Sequence, residues 1–403
     1  MLHPDLLDSA RALSDRIVTL RRAIHAEPEL GLHTPMTMAK VRAALAHLPL
    51  EWREGSSTTG QVAVLKGAQA GRRVLLRGDM DALPMREETG LDFASAIDGR
   101  MHACGHDTHT AMLAGAAELL AARQGELAGE VLFMFQPGEE GFHGARFMLE
   151  DGLLGGNAHG PLPEAAFALH IMPNAPHGVL AGRVGPLMAA ADQFDVVVTG
   201  QGGHASMPHD ARDPVPAACE IVGALQAMVT RRFNAADAVV VTVTQLQAGT
   251  AHNVIPDHAS LRGTIRTLSP RHRAAVREAM EAVVRGVAQA HGVEAELTVT
   301  EGFPVTICDE RAVALGREVV HGALGETSWR ELPAPIMGAE DFAYVLEKVP
   351  GAMFFLGVAP EGEDWRQCCG IHSPRMIVDE SALPRGTAML SGCALRFLER
   401  GFA

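Results

Sequence analysis

Residue types that can bind a metal ion or catalyse a reaction are concentrated in one segment, MHACGHDTHTAML (101–113). Three histidines, one cysteine and one aspartate lie there within eight positions: His102, Cys104, His106, Asp107 and His109. A folded core does not need so many polar groups in one place, because each buried polar group must find a partner. The segment therefore predicts a metal site or a catalytic site.

Further candidates of this kind stand at the ends of apolar runs that read as β-strands. In an open α/β sheet, binding sites form outside the carboxyl ends of the strands, so we expect separate segments to bring these side chains to one rim. Asp79 and Asp81 end one such run. The other candidates at this rim are Cys104, His106, Glu139, Glu140 and His170, with His372 of CCGIHSPRM (368–376) as a sixth.

Cysteine, histidine and carboxylate ligands together suit a transition metal such as zinc, manganese, cobalt or nickel. Six candidate groups exceed what one tetrahedral ion needs, so we expect two ions, which can polarise a carbonyl and lower the pKa of a bridging water. A Cys104 thiolate could bridge the ions, and either Glu139 or Glu140 could remain free as a general base. A single histidine is more often a hydrogen-bonded structural residue, and that interpretation stays open for His102, His109 and His143.

The composition limits the partners of the chain. It has 403 residues, 47% of them hydrophobic and 20% charged, and a formal net charge of −14, which disfavours nucleic acid or an anionic membrane as the main partner. The N-terminal segment does not resemble a signal peptide, and no 18-residue apolar run occurs. The six cysteines show no CxxC spacing, so we expect mostly free thiols and a cytoplasmic protein.

The elements that must position these residues fall into two groups. Continuous apolar runs at 72–81, 129–140 and 164–171, with a helical pattern at 108–124, predict an α/β domain with a mainly parallel central sheet covered by helices. From about residue 188 the strands alternate, which predicts a smaller inserted α+β sandwich over 188–300 with helices at 213–232 and 269–292. Ser269 and Pro270 predict the start of the second helix. The larger domain then comprises 1–187 and 301–403.

Ten motifs in order resemble the M20 metallopeptidases, in particular the amidohydrolase branch with its hippurate hydrolases, N-acyl-amino-acid amidohydrolases and indoleacetyl-amino-acid hydrolases. They are LRRAIHAEPELG (20–31), RGDMDALP (77–84), MHACGHDTHTAML (101–113), FQPGEEG (135–141), FALHIMP (167–173), GQGGHASMP (200–208), TAHNVIP (250–256), RGTIRT (262–267), GAEDFA (338–343) and GIHSP (370–374). The resemblance spans nearly the whole chain. It implies a dinuclear-metal exopeptidase-like catalytic domain with an inserted lid and dimerisation domain.

The resemblance also implies individual roles. Glu139 matches the general base of the family, and Asp81 matches its supporting carboxylate. Asp79 stands where other branches have a metal-binding histidine, so no metal is assigned to it. The metal ligands implied are Cys104, as the bridging ligand, His106, Glu140, His170 and His372.

In the inserted domain, His204 matches the histidine that stabilises the tetrahedral oxyanion. Asn253 and Arg266 match lid groups that hold the substrate carboxylate, for which an arginine offers a bidentate fork. The family lid usually also forms the dimer interface, which implies a homodimer or a dimer-based tetramer.

The implied reaction is hydrolysis of the amide bond of an N-acyl amino acid, a small-molecule substrate, with two divalent ions per subunit. Zn²⁺ or Mn²⁺ is expected, and Co²⁺ or Ni²⁺ is also compatible. Hippurate, other aromatic acyl conjugates, N-acetyl amino acids and N-acetyl-diaminopimelate all remain open as substrates. Two alternatives are a metal-dependent dipeptidase or aminopeptidase, which needs an acidic group for the substrate α-amine, and a non-catalytic metal-binding regulatory protein.

Overall fold

The computed structural model describes residues 5–234 and 236–403. The chain divides into two compact units, each described here by itself. The first unit comprises the described residues of Met1–Leu187, Ile307–Ala334 and Asp341–Ala403, and the second comprises those of Met188–Thr306 and Pro335–Glu340. The second unit thus begins where the inserted domain was predicted to begin, but it also includes 301–306 and 335–340.

The helices and strands alternate along the chain. The helices are α1 (Leu6–Arg11), α2 (Ser14–His25), α3 (Pro35–Ala44), α4 (His106–Ala121), α5 (Gly144–Glu150), α6 (Pro214–Arg232), α7 (Pro270–Ala290), α8 (Glu310–Leu324), α9 (Ala343–Leu346) and α10 (Leu383–Arg400). The strands are β1 (Glu51–Glu54), β2 (Gln61–Lys66), β3 (Gln69–Asp79), β4 (Ala128–Gln136), β5 (Ala165–Met172), β6 (Leu180–Gly182), β7 (Gly185–Met188), β8 (Ala190–Thr199), β9 (Gly203–His204), β10 (Val239–Ala248), β11 (Val254–Ile255), β12 (His258–Thr267), β13 (Glu294–Thr300), β14 (Thr306–Cys308), β15 (Trp329–Glu331) and β16 (Gly351–Gly357).

A large mixed sheet forms the centre of the first unit, with strand order β1-β2-β4-β3-β5-β16-β6-β15. The strands that precede the candidate residues run parallel: β3 pairs with β4 and β5, and β5 pairs with β16. Strands β1 and β2 add an antiparallel edge that the apolar runs did not predict. The predicted α/β class with a mainly parallel sheet is confirmed.

The apolar runs are continuous because both faces of this sheet are covered. Every residue of β16 is buried, and β5 is buried up to its last residue. Helices α4 and α10 pack against each other and against β3, and both are almost entirely buried. The central sheet is therefore a rigid support for the residues that leave its strand ends.

The second unit is a two-layer α+β structure. Its antiparallel sheet has the order β10-β12-β8-β13, and α6 and α7 pack on one face around a core that includes Phe194, Leu261 and Met280. Burial alternates along β8, as expected for a sheet with one covered face. Helix α7 begins as predicted, because the Ser269 side chain accepts a hydrogen bond from the His272 backbone N–H at 3.0 Å.

No helix within residues 5–234 and 236–403 is long and apolar enough to cross a membrane.

Candidate metal centre and active site

The first unit brings the six sequence-predicted metal and base residues into overlapping groups. The ligand atoms of Cys104, His106 and His170 lie within 4.8 Å of one another, and so do those of Cys104, Glu140 and His372. A third such group contains His106, Glu139 and Glu140. Cys104 belongs to the first two groups, so its sulfur could serve as a ligand to both.

Local geometry at the start of α4 places two of these residues. Gly105 precedes the helix in the left-handed region, with φ of 88°, which a residue with a side chain rarely adopts. A Cβ atom on Gly105 would also lie 2.6 Å from Ile171 Cδ1 on β5. The glycine therefore allows the close approach of α4 and β5 that sets Cys104 Sγ 3.3 Å from His170 Nε2.

The orientation of both histidine rings is fixed by backbone carbonyls. His106 Nδ1 donates to the Asp81 carbonyl oxygen at 2.8 Å, and His170 Nδ1 donates to the Ile171 carbonyl oxygen at 2.6 Å. Each ring therefore directs Nε2 toward the cluster, an arrangement typical of metal-binding histidines. Among the described residues, the buried His106 Nε2 has no hydrogen-bond partner.

His372 reaches the cluster from a distant loop. Its backbone is in the left-handed region, with φ of 61°, and its N–H donates to the Ala103 carbonyl oxygen at 2.6 Å. Its side chain is half-exposed, and Nε2 lies 3.3 Å from Glu140 Oε1. This backbone contact ties the His372 loop to the residue that precedes Cys104.

Asp81 positions the two adjacent glutamates. Its Oδ1 accepts the Glu139 N–H at 2.9 Å, and its Oδ2 accepts the Glu140 N–H at 3.0 Å. The side chain is buried, so both bonds are shielded from water. Asp81 thus acts on the cluster through the backbone that carries Glu139 and Glu140, and Glu139 Oε2 lies 4.0 Å from His106 Nε2.

Asp79 and His109 hold the strand ends together. His109 Nε2 accepts the Ile171 N–H at 2.9 Å, so its Nδ1 carries the proton and donates to Asp79 Oδ1 at 2.6 Å. Arg77 donates to Asp79 Oδ2 at 2.6 Å. Both nitrogens of His109 are therefore engaged, which favours the structural interpretation that the sequence left open for this residue.

A buried charged network beneath the site was not predicted from the sequence. Arg77 also donates to Asp341 Oδ1 at 3.1 Å and to Gln136 at 2.8 Å, and Asp341 accepts the Ala145 N–H at 2.9 Å. Arg77 lies in the RGDMDALP motif and Asp341 lies in the GAEDFA motif, so the motifs could have marked both residues as candidates. The network joins β3 and β4 to the start of α5.

The pKa values of the cluster follow from its burial and its charges. Burial raises the pKa of the Cys104 thiol and lowers the pKa of His170 well below its usual range. Burial alone would raise the pKa of Glu140, but His372 and His106 outweigh it and lower that pKa. His170 is therefore a neutral imidazole, and Glu140 is an ionised carboxylate.

These residues fit a pair of divalent transition-metal ions. The donor set is one thiol, three imidazoles and two carboxylates, which matches ions of intermediate softness. The His106 and His170 rings are both oriented by backbone carbonyls, and His106 Nε2 has no hydrogen-bond partner among the described residues, so the two imidazoles are prepared for ligation. A binding ion would displace the proton of Cys104.

The three lid candidates lie in the second unit. His204 on β9 pairs with Val254 on β11, and the adjacent Ala205 N–H donates to the Asn253 carbonyl oxygen at 3.1 Å. The Ser206 N–H donates to His204 Nδ1 at 3.1 Å, so in the neutral ring the proton is on Nε2. Arg266 lies on β12, opposite Val240, and burial lowers its pKa.

His102 and His143, which the sequence left open, have different surroundings. His102 is buried, its two ring nitrogens have no hydrogen-bond partner among the described residues, and burial lowers its pKa to about 3. His143 Nδ1 lies 2.9 Å from the Tyr344 hydroxyl. The contact with Tyr344 favours the structural interpretation for His143.

Comparison with known proteins agrees with this geometry. The model of peptidase family M20/M25/M40 matches residues 75–396. The chain is 39% identical to an N-acetylcysteine deacetylase of Bacillus subtilis over 96% of this chain and 98% of the relative. It is 36% identical to a thermostable carboxypeptidase of Saccharolobus solfataricus, over 97% and 98% of the two chains, and to an IAA-amino acid hydrolase of Arabidopsis thaliana, over 98% and 88%.

A solved structure shows the same fold and adds a finding about metals. The YXEP protein of Bacillus subtilis, described as a dinuclear metal binding peptidase from the M20 family, superposes with a TM-score of 0.83 at 35% identity, over 97% of this chain and 99% of that one. The family model, the similar proteins and the shared fold all indicate the same family. The chain therefore belongs to peptidase family M20 and, within it, to the amidohydrolase branch.

Proposed function

We propose that the protein hydrolyses the amide bond of N-acyl amino acids, R–CO–NH–CHR′–COO⁻, to a carboxylic acid and a free amino acid. The observation that carries the proposal is the pair of ligand groups sharing Cys104, with the Glu139 carboxylate beside them. The relatives named N-acetylcysteine deacetylase and IAA-amino acid hydrolase support an acyl amino acid as substrate.

The proposed dimetal centre uses Cys104 as the shared ligand. His106 and His170 complete one group, and Glu140 and His372 complete the other. Bound divalent ions would supply Lewis-acid polarisation of the scissile carbonyl and a water of lowered pKa. The thiolate favours Zn²⁺ by its softness, and Mn²⁺, Co²⁺ and Ni²⁺ are the ions to compare with it.

The residues of the chain perform the proton transfers. Glu139 takes a proton from the attacking water and delivers it to the leaving amine nitrogen, while Asp81 holds its backbone. His204 donates from Nε2 to the developing oxyanion, a role supported by its tautomer. Arg266 and Asn253 bind the carboxylate of the substrate, which is supported by their match to the family motifs.

The test is release of free amino acid from a panel of acyl conjugates. Chelated protein is reloaded with Zn²⁺ or Mn²⁺ and given N-acetyl amino acids, hippurate, indoleacetyl amino acids and free dipeptides, with Glu139→Gln as the control. Turnover of acyl conjugates that is lost in the variant supports the proposal and identifies the acyl group. Failure to cleave any member of the panel with two ions bound would contradict it.

A peptidase is the second candidate function. It is favoured by the relative named a carboxypeptidase and by the solved structure described as a peptidase. Cleavage of free dipeptides alone would select this function over the first.

We also propose that the second unit forms a homodimer interface, or that of a dimer-based tetramer. Strand β10 lies at the edge of its sheet and exposes Val240 and Leu246, so a second copy could pair with this edge beside apolar side chains. Light scattering should give at least twice the chain mass, and Leu246→Lys should lower it. A wild-type monomer at assay concentration would contradict the proposal.

A cytoplasmic location is a further proposal, supported by the free thiol state of all six cysteines. Cell fractionation would test it. The negative net charge supports the expectation that neither nucleic acid nor membrane is a partner.

A further inference from the structure

A buried set of charged side chains joins three segments of the first unit behind the candidate metal centre. His25, the last residue of α2, donates from Nδ1 to Asp107 Oδ2 at 2.8 Å, and its Nε2 lies 3.1 Å from Glu87 Oε1. The side chains of His25, Asp107 and Glu87 are 1%, 0% and 4% exposed. Because both ring nitrogens face carboxylates, the imidazole carries two protons and a positive charge.

Arg21 reinforces the same contacts from the preceding turn of α2. Its Nε donates to Asp107 Oδ2 at 2.7 Å, and its Nη1 donates to Glu380 Oε1 at 2.9 Å. Arg21 and His25 therefore face three carboxylates. Glu380 also accepts hydrogen bonds from Arg22, so each charge of the network has a partner of opposite sign. Breaking an ion pair in this network is costly, because removing one charge leaves its partner buried without compensation.

Each end of the His25 bridge leads to a segment that carries metal-ligand candidates. Asp107 directly follows His106 in the first turn of α4. At the other end, the backbone N–H of Glu88, the residue after Glu87, donates to the Pro374 carbonyl oxygen at 2.7 Å, two residues beyond His372. His25 thus connects the start of α4 with the loop that carries His372.

We propose that His25 is a positioning residue that holds these two ligand-bearing segments at the spacing needed for two ions. The inference rests on the proposed dimetal function. His25 does not touch the ligand atoms, and it acts through Asp107 on one side and through Glu87 on the other. The tie between His372 N–H and the Ala103 carbonyl oxygen closes the loop of contacts around Cys104.

The electrostatics of the bridge agree with this role. Burial disfavours a charged imidazole, but Asp107 and Glu87 outweigh it and raise the pKa of His25 to about 9. The neighbouring His102, whose ring centroid lies 6.1 Å away, stays neutral because burial lowers its pKa to about 3. Phe93 covers another side, with its ring centroid 5.5 Å from that of His25. The bridge therefore remains a single cation between two carboxylates at neutral pH.

Metal affinity measured without substrate tests the inference. Apo wild type, His25→Asn and Glu87→Gln are titrated with Zn²⁺ in competition with a chromophoric chelator, and urea unfolding is followed in parallel. Glu87→Gln keeps the shape of the side chain and carries the test if His25→Asn does not fold. The matched control is His47→Asn, since His47 lies 3.1 Å from Glu118 but is half-exposed. Glu118 is in the last turn of α4, about 18 Å along the helix axis from His106.

We expect His47→Asn to bind each of the two ions with the same affinity as wild type. We expect His25→Asn to weaken at least one ion by about 10- to 100-fold, the effect of losing an outer contact to a metal ligand. Glu87→Gln should lower the affinity for one ion, the one expected at Cys104, Glu140 and His372, and leave the affinity for the other ion unchanged.

Two different failures can be told apart. Wild-type affinity for both ions in His25→Asn and Glu87→Gln would overturn the positioning role, even if their urea midpoints fall, because the network would then serve stability alone. A wild-type protein that binds no pair of ions would instead refute the proposed dimetal function, and this inference with it.

Discussion

Replacing Asp81 by asparagine tests whether this residue acts through the backbone of the two glutamates. The carboxylate accepts one backbone N–H with each oxygen, at 2.9 and 3.0 Å. Asparagine has the same shape but only one acceptor oxygen, so either the Glu139 or the Glu140 N–H would face an amide donor.

The size of the effect follows from the bond that is lost. A hydrogen bond to a charged group contributes about 1.5–3 kcal/mol. If losing this bond misplaces Glu139 and Glu140 and raises the activation free energy by the same amount, kcat/KM should fall about 10- to 150-fold. The measurement is kcat/KM on the preferred acyl amino acid, with circular dichroism to verify folding.

The control is Asp195→Asn, which removes an exposed pairing with Arg262 and should leave kcat/KM unchanged. Wild-type activity in Asp81→Asn would refute the reasoning. A loss as complete as that in Glu139→Gln would also refute it, because Asp81 would then have to act on the reacting atoms themselves.

Three further predictions concern stability. The pKa of His25 is about 9 in the folded protein and roughly 6.5 in the unfolded chain, which stabilises the fold by on the order of 3 kcal/mol. This stabilisation is complete below pH 6.5 and is lost as the pH rises through 9. The urea midpoints at pH 7 and pH 10 should therefore differ by less in His25→Asn than in wild type. Gly105→Ala should cost about 1–3 kcal/mol, because φ is 88° and the site is crowded, whereas Gly125→Ala, at an open position, should cost far less in the same thermal melts. Arg77→Met should cost about 3–5 kcal/mol by removing the arginine that pairs with buried Asp79 and Asp341, and an unchanged unfolding midpoint would contradict the network.

Local patterns predicted the elements that carry the site. Continuous apolar runs marked β3, β4 and β5, because strands covered on both faces have no polar face to alternate with. Ser269 and Pro270 marked the start of α7, because an N-cap is a contact between near neighbours. Glu140 and His170 stand at or just after the ends of these strands, and the structure places them in overlapping groups with Cys104, His106 and His372.

Contacts between segments that are distant in the sequence could not be predicted from these local patterns. Arg77 and Asp341 are separated by 264 positions, and His25 and Asp107 by 82, so no spacing rule relates them. The proton position on His109 depends on the Ile171 N–H, which becomes its neighbour only when α4 packs on β5. The antiparallel edge of β1 and β2 was missed because their runs are short.

The position of β16 in the central sheet has a consequence for synthesis of the protein. This strand lies between β5 and β6, yet it follows β6 in the chain by about 170 residues, which include the whole of the second unit's main segment. At 5–20 residues per second, a ribosome needs roughly 10 to 30 s to add them. During that time the nascent sheet lacks this inner strand and exposes the apolar edge of β5 to aggregation. His372 emerges later still, so the candidate ligand group of Cys104, Glu140 and His372 is complete only after residue 372 has been synthesised.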